Sequence, residues 1–215
     1  MTEFTTWRSL VDGAEIDVIP DSGLLHHYDW SDDSTTTTTV PDLQGNEDLT
    51  GAFSDLNGDI NGVQAGTFDG TDDVVTNGNS TSQPIIIFFV IDPVDTGDIT
   101  SRILNSDNTR FRLGLRWQDD NYNVDAGESV QGGSPSDSPQ ILVGEYDGSN
   151  SSGRLNGSEI LSGDAGSESI DGYNVGNDGQ YEGLVGEILV YDKNNISSIS
   201  EVEDYLSNKW GITLA

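Results

Sequence analysis

The chain has no cysteine in its 215 residues. Disulfide staples and thiolate metal centres are therefore excluded. Lysine is nearly missing too, with Lys193 and Lys209 alone. Lys plus Arg number 8 against 38 Asp plus Glu, a formal net charge of -30. Phosphate contacts need lysine and arginine, so no unaided nucleic-acid partner is expected. No apolar run approaches the roughly 20 residues that span a membrane, and no N-terminal stretch reads as an export signal. Membrane insertion is not expected. Hydrophobic residues make up only 33%. The apolar runs are nonetheless well formed and are separated by turn residues, which is not the pattern of a disordered chain. The length suits one domain with one buried core.

The acidity is spread along the chain and is not gathered in a tail. Even charge of one sign destabilises a compact chain by self-repulsion. At about 1 M salt the screening length falls to roughly 3 Å, and that repulsion is removed. The composition therefore suggests a source in concentrated salt. An ordinary acidic secreted protein is the alternative.

What is present is mostly strand. Pro84 to Val90 (PIIIFFV) is the most apolar run, and its β-branching makes it a central strand buried on both faces. Phe111, Leu113, Leu115 and Trp117 alternate with Arg110, Arg112 and Arg116, so the arginines form a positive stripe on one face. The stripe suits an acidic sugar, a sulfate or carboxylates; pairing with Asp in the same sheet is the simpler outcome. Asn156-Gly157 between short apolar runs signals a tight hairpin. Tyr122–Gly133, Gln140–Tyr146, Ile170–Val175 and Leu184–Tyr191 read as further strands or hairpins. After Tyr191 a short helix carries Val202, Tyr205, Leu206 and Trp210 on one face. Ser198 with Glu201, or Ser200 with Glu203, suits its start, and Gly211 suits its end. Closely spaced strands with Gly, Asn and Asp turns predict a sandwich, not a parallel α/β sheet.

Four stretches carry a family resemblance. They are Gly183–Asp192 with Val202–Ile212, Phe68–Asp73, Arg110–Leu115 and Glu145–Gly157. Together they resemble the laminin-G-like group of the concanavalin-A-like lectin/glucanase superfamily, over residues 24–214. The resemblance implies an all-β, concanavalin-A-like jelly-roll sandwich of two antiparallel sheets with one short C-terminal helix. It implies a domain over 23–215, and it does not fix a function. Residues 1–22 lie outside it. They contain Trp7, Leu10, Val11 and Ile16 and are too apolar for a free tail. They read as an anchor for partners or neighbouring copies, or as a strand packed on the domain's own sheet.

Candidate sites are few. Asp55, Asn57 and Asp59 have calcium-loop spacing, but the sequence lacks the Gly and the final Glu of an EF-hand, so no metal or other cofactor is assigned. His26 and His27 are adjacent in a predicted strand, which places them on opposite faces. Trp30, Trp117, Tyr122, Tyr146 and Tyr173 are candidates for an aromatic sugar platform, with core packing as the alternative for each. The glucanase Glu-x-Asp-x-x-Glu strand is missing; Glu187 has no carboxylate two or four residues away, and Glu201, Glu203 and Asp204 are expected at the helix surface. The chain is therefore read as no enzyme. Asn79, Asn150, Asn156 and Asn195 fit the N-x-Ser/Thr pattern.

The expectation is a virion surface protein of a halophilic archaeal virus: a turret, head decoration or tail-fibre component. Its partners would be other virion proteins through residues 1–22, further copies of itself, and a host surface glycan or glycoprotein. The alternatives are a cellular carbohydrate-binding module or adhesin fragment, and then a glycoside hydrolase or lyase.

Overall fold

The computed structural model describes residues 9–11, 14–16, 18–71, 73–93, 102–106, 109–116, 121–176 and 181–215. Among the described residues, strands β1 (Ser9–Val11) and β2 (Ala14–Ile16) pair only with each other, Ser9 opposite Ile16. The strands that follow are β3 (Leu24–Asp29), β4 (Thr39–Val40), β5 (Leu49–Ala52), β6 (Asp55–Ile60), β7 (Val63–Asp69), β8 (Val74–Thr81) and β9 (Ile85–Pro93). Next come β10 (Arg102–Ser106), β11 (Phe111–Arg116), β12 (Asn121–Ala126), β13 (Ser129–Gly132) and β14 (Gln140–Tyr146). The last are β15 (Ser151–Leu155), β16 (Ser158–Gly163), β17 (Ile170–Val175) and β18 (Glu182–Asp192), before the helix α1 (Ile199–Trp210).

Two antiparallel sheets result. One has the order β13-β12-β11-β10-β17-β8-β5-β4, and the other β16-β15-β14-β9-β18-β7-β6. Strand β3 lies beside the second half of β18, in line with β7 beside its first half. The expected sandwich is the observed one. β9 is central, between β14 and β18, and buried on both faces. Ile85, Ile87, Phe89 and Ile91 join the core between the sheets. Ile86, Phe88 and Val90 point out the other side, where α1 covers them with Val202, Leu206 and Trp210. An unbroken apolar run is what a strand covered on both faces needs.

The helix ends follow their sequence signals. Ser198 caps the start, its hydroxyl accepting from the Glu201 N–H at 3.4 Å. Gly211 ends it in the left-handed region with φ 63°. Asn156 and Gly157, at φ 46° and 86°, make the two-residue β15–β16 turn.

Two bulges alter which side chains share a face. The register of β18 against β9 shifts between Val185 and Glu187. Val185 therefore belongs to the inter-sheet core, while Glu187 turns toward the helix with Trp210. The register of β3 against β18 shifts between His26 and Leu24. Strict alternation puts Leu25 with His27; instead Leu24 packs on the helix side and Leu25 on the inter-sheet core.

The docked chain begins before residue 23. Ile19 packs on the helix-side cluster, and the Pro20 carbonyl accepts from the Tyr191 hydroxyl at 2.6 Å.

Candidate functional site

Of the suggested sites, most are used in holding the fold. Trp30 is fully buried, edge-on to Phe53 and Phe68 at 6.4 Å. Tyr122 is 1% exposed and donates to Gln140; Tyr146 and Tyr173 are buried likewise. None of these rings is a sugar platform, because alternation points them between the sheets. Trp117 lies outside the described residues, as does Trp7. The backbones of Leu10, Val11 and Ile16 lie in the β1–β2 hairpin.

Asp55, Asn57 and Asp59 form no calcium loop, because they lie along strand β6. Alternate strand residues are about 7 Å apart and do not converge on one ion. The two aspartate carboxylates serve the turn and the strand instead. Asp55 Oδ1 accepts from the Asn57 N–H at 2.9 Å and the Thr67 hydroxyl at 2.8 Å, and Asp59 Oδ1 from the Gly62 N–H at 2.8 Å.

Part of the arginine stripe is paired inside its own sheet. Arg110 reaches Asp125 Oδ2 at 3.0 Å and the Gly127 carbonyl at 2.8 Å. Arg112 Nη1 is 4.0 Å from the same carboxylate. The Arg116 backbone is in β11, opposite Asn121. Among the described cationic side chains every one has a carboxylate partner: Arg154 has Glu203, Lys193 has Glu145 and Asp147, and Lys209 has Asp29 and Glu187.

Glu203 therefore corrects an expectation. It does not face solvent but is 1% exposed, held by two bonds of 2.9 Å from Arg154. This pins α1 to β15. Glu187, as expected, has no carboxylate partner along its own strand; its partners stand on the neighbouring strand and on the helix. His27 Nε2 is 2.8 Å from Oε1, the Tyr205 hydroxyl 2.9 Å from Oε1, and Lys209 Nζ and Trp210 Nε1 lie 2.7 and 2.8 Å from Oε2. Burial pushes the Glu187 carboxyl up, but the His27 bond and the Lys209 charge outweigh it and leave it below its usual pKa.

His27, Asp29 and Glu187 offer ligand atoms within 4.8 Å of one another. Two carboxylates so close approach the roughly 5 Å spacing of a retaining glycosidase. Both are buried, Glu187 at 0% and Asp29 at 8% exposed, and α1 bonds to each through Lys209. The Lys209 ammonium, 2.6 Å from Asp29 Oδ2, stands where a metal ion would bind. The cluster is a buried clamp between sheet and helix.

A different place is open. Where the chain leaves β8 and crosses to β9 in the other sheet, a cleft of about 430 Å³ opens at one end of the sandwich. His26, Thr81, Ser82, Gln83, Asp192 and Asn194 are among its lining residues. The two histidines do diverge, His27 to the helix and His26 to this cleft. The Asp42 carboxylate, its side chain fully buried, lies 2.7 Å from His26 Nδ1. Burial raises the Asp42 pKa, but bonds from His26 and from the His27 and Gln44 N–H groups bring it below its usual value. An ionised carboxylate only accepts, so His26 Nδ1 carries a hydrogen, and in the neutral form of the ring Nε2 is then left as an acceptor. The ring stacks on Tyr28 and meets the edge of Tyr173 at 5.4 Å. Nε2 lies 3.5 Å from Thr81 Oγ1, which is 2.8 Å from the Tyr173 hydroxyl. Sequence spacing missed this site, because Asp42, His26 and Thr81 come from three separate segments.

Neither a family model nor a curated protein matches the chain. Solved structures do match in shape. Domain 4 of AbnA, a GH43 extracellular arabinanase from Geobacillus stearothermophilus in complex with arabinotriose, superposes with a TM-score of 0.57 at 17% identity. It covers 86% of this chain and 98% of that one. Trypanosoma rangeli sialidase in complex with sialic acid gives 0.64 at 13% identity, over 94% of this chain. The chain spans only 36% of that enzyme. The likeness is one of fold, a two-sheet β-sandwich.

Proposed function

We propose that this chain is a non-catalytic glycan-binding module, laminin-G-like in type, whose ligand enters the cleft between β8 and β9. The observation that carries the reading is the end-to-end likeness to the arabinanase domain that holds arabinotriose. The cleft adds to it: hydroxyl, amide and imidazole groups from several segments converge at a sandwich end, where a rigid scaffold commonly presents a binding surface. The paired carboxylates, by contrast, are buried and bonded to α1 through Lys209. A glycan array in concentrated salt tests the reading. Retention of at least one glycan class is expected, and no retention of any would overturn it.

The setting we infer is a particle surface in concentrated salt, as in a virion of a halophilic archaeal virus, with host surface glycan or glycoprotein as the ligand. What supports it is the net charge of -30 together with the apolar segment before the sandwich. The anchor would be residues 1–17, since Ile19 and Pro20 already dock on the domain. Light scattering with and without residues 1–17 tests this. An oligomer that becomes a monomer on trimming is expected; a monomer in both cases favours a freestanding cellular module.

A further inference from the structure

The cleft between β8 and β9 has a charge character that selects among glycans. Its acidic lining group is Asp192, and Ser80 at its rim bonds Asp171 at 2.6 Å. Among the described residues, no lysine or arginine lines it. Lys193 is next in sequence to Asp192, but its ammonium turns away to Glu145 at 2.5 Å and Asp147 at 2.7 Å. A carboxylated or sulfated sugar entering here meets like charge and no cation to pair with.

The neutral groups are suited to hydroxyls. Gln83 is fixed by three bonds: its Nε2 donates to the Gly166 and Glu168 carbonyls at 3.3 and 2.7 Å, and its Oε1 accepts from the Gly148 N–H at 2.9 Å. It shapes the wall. His26 is different. Its side chain is nine-tenths buried, its Nδ1 is committed to Asp42, and its Nε2 has only the long 3.5 Å approach of Thr81. A buried acceptor left so weakly satisfied at a cleft wall is poised for a ligand donor. Aromatic stacking does not compete for this role, because the described tryptophans and the Tyr28 and Tyr173 rings are buried.

We propose that the cleft takes neutral, hydroxyl-rich sugars and rejects acidic ones, with His26 Nε2 accepting a hydrogen bond from one sugar hydroxyl. This rests on the glycan-binding reading above and adds the ligand class and the residue that selects it. Asp42 is a positioning residue, holding the ring in the tautomer that accepts.

The test compares neutral oligosaccharides with uronate-containing, sialylated and sulfated ones, by array and then by titration calorimetry on the full chain in concentrated salt. His26→Phe keeps the ring stacking and removes the acceptor, and loss of about threefold to tenfold in affinity for the neutral ligand is expected. That variant leaves Asp42 buried without its partner, so a second readout is needed that does not depend on its folding. The chain has only two histidines, and nitrogen-15 NMR of the native protein resolves both. Neutral sugar should shift His26 Nε2 and leave His27 unmoved. Asp192→Asn should raise the affinity for acidic sugars relative to neutral ones. Equal or tighter binding of acidic glycans by the native chain overturns this inference while leaving glycan binding intact. Neutral-sugar binding with no His26 shift places the ligand elsewhere and also overturns it. Binding of no glycan at all removes the glycan reading itself.

Discussion

Lys209 Nζ lies 2.7 Å from Glu187 Oε2, and Glu187 is 0% exposed. One of only two lysines in the chain is thus spent neutralising a buried carboxylate. Its second bond, 2.6 Å to Asp29, joins α1 to β3 as well as to β18. Charges taken out of water are costly, and their mutual attraction repays that only while the set is complete. Lys209→Met should therefore destabilise the fold by about 3–5 kcal/mol, since it leaves two buried carboxylates without their ammonium partner. Urea unfolding in concentrated salt measures this. Lys209→Met with Glu187→Gln should recover part of the loss, a coupling that a double-mutant cycle isolates. Equal losses in the single and double variants would mean that the ion pair is not what holds the helix.

Gly186 is required by the other half of the same clamp. A Cβ there would stand 2.7 Å from the Trp210 ring, and this glycine is where the β18 register shifts. Gly186→Ala should cost about 1–3 kcal/mol by overpacking, because the ring is boxed in by sheet and helix. Gly66→Ala should behave alike, with its Cβ 2.2 Å from Trp30 Cδ1. Thermal unfolding followed by tryptophan fluorescence reports on both. If either alanine is neutral, the indole has room to shift.

How far the sequence foretold this can be read from particular residues. The unbroken apolar run of β9, the Asn156-Gly157 turn and the Ser198 and Gly211 helix ends are local, and local signals suffice for them. Glu203 was expected at the helix surface and Glu187 without a partner in its own strand, because their partners, Arg154, His27 and Lys209, are distant in sequence. Chain periodicity carries no information on such pairings. The bulges at Gly186 and Leu25 are also silent in a pattern of alternation, and they decide which residues face the helix. The cleft escaped for the same reason: His26, Asp42 and Thr81 meet only through the sheet topology.

Acid should loosen the structure through Glu187 and Asp42. Both sit below their usual pKa when folded, despite the burial that opposes this. Folding therefore favours their ionised forms. The stability they add is complete above the usual carboxylate values near pH 4 and is lost as pH falls through the lower folded values. Urea midpoints should hold between about pH 7 and pH 5 and fall below about pH 4. Glu187→Gln and Asp42→Asn should each start less stable and show a shallower acid slope. An acid slope unchanged in both variants would assign the loss to the many other carboxylates.

Salt is the remaining lever, and the distribution of charge decides its sign. The described cations are all taken by close carboxylates, so most of the net charge of -30 is unpaired acid. Raising ionic strength weakens two things at once, the exposed ion pairs and the repulsion among unpaired carboxylates. Lys209 with Glu187 and Arg154 with Glu203 have a buried carboxylate in each pair and are screened least. Repulsion over the surface, where charges are separated by several ångströms of water, is screened most. The net effect should be stabilising: the melting temperature rises steeply from about 0.1 M to about 1 M salt, as the screening length shortens from roughly 10 Å to roughly 3 Å. Potassium chloride and sodium chloride should act alike if screening is the cause. A melting temperature that is flat or falls over this range would mean that paired charges, not repulsion, dominate the electrostatics of the fold, and the inference of a high-salt setting would fall with it.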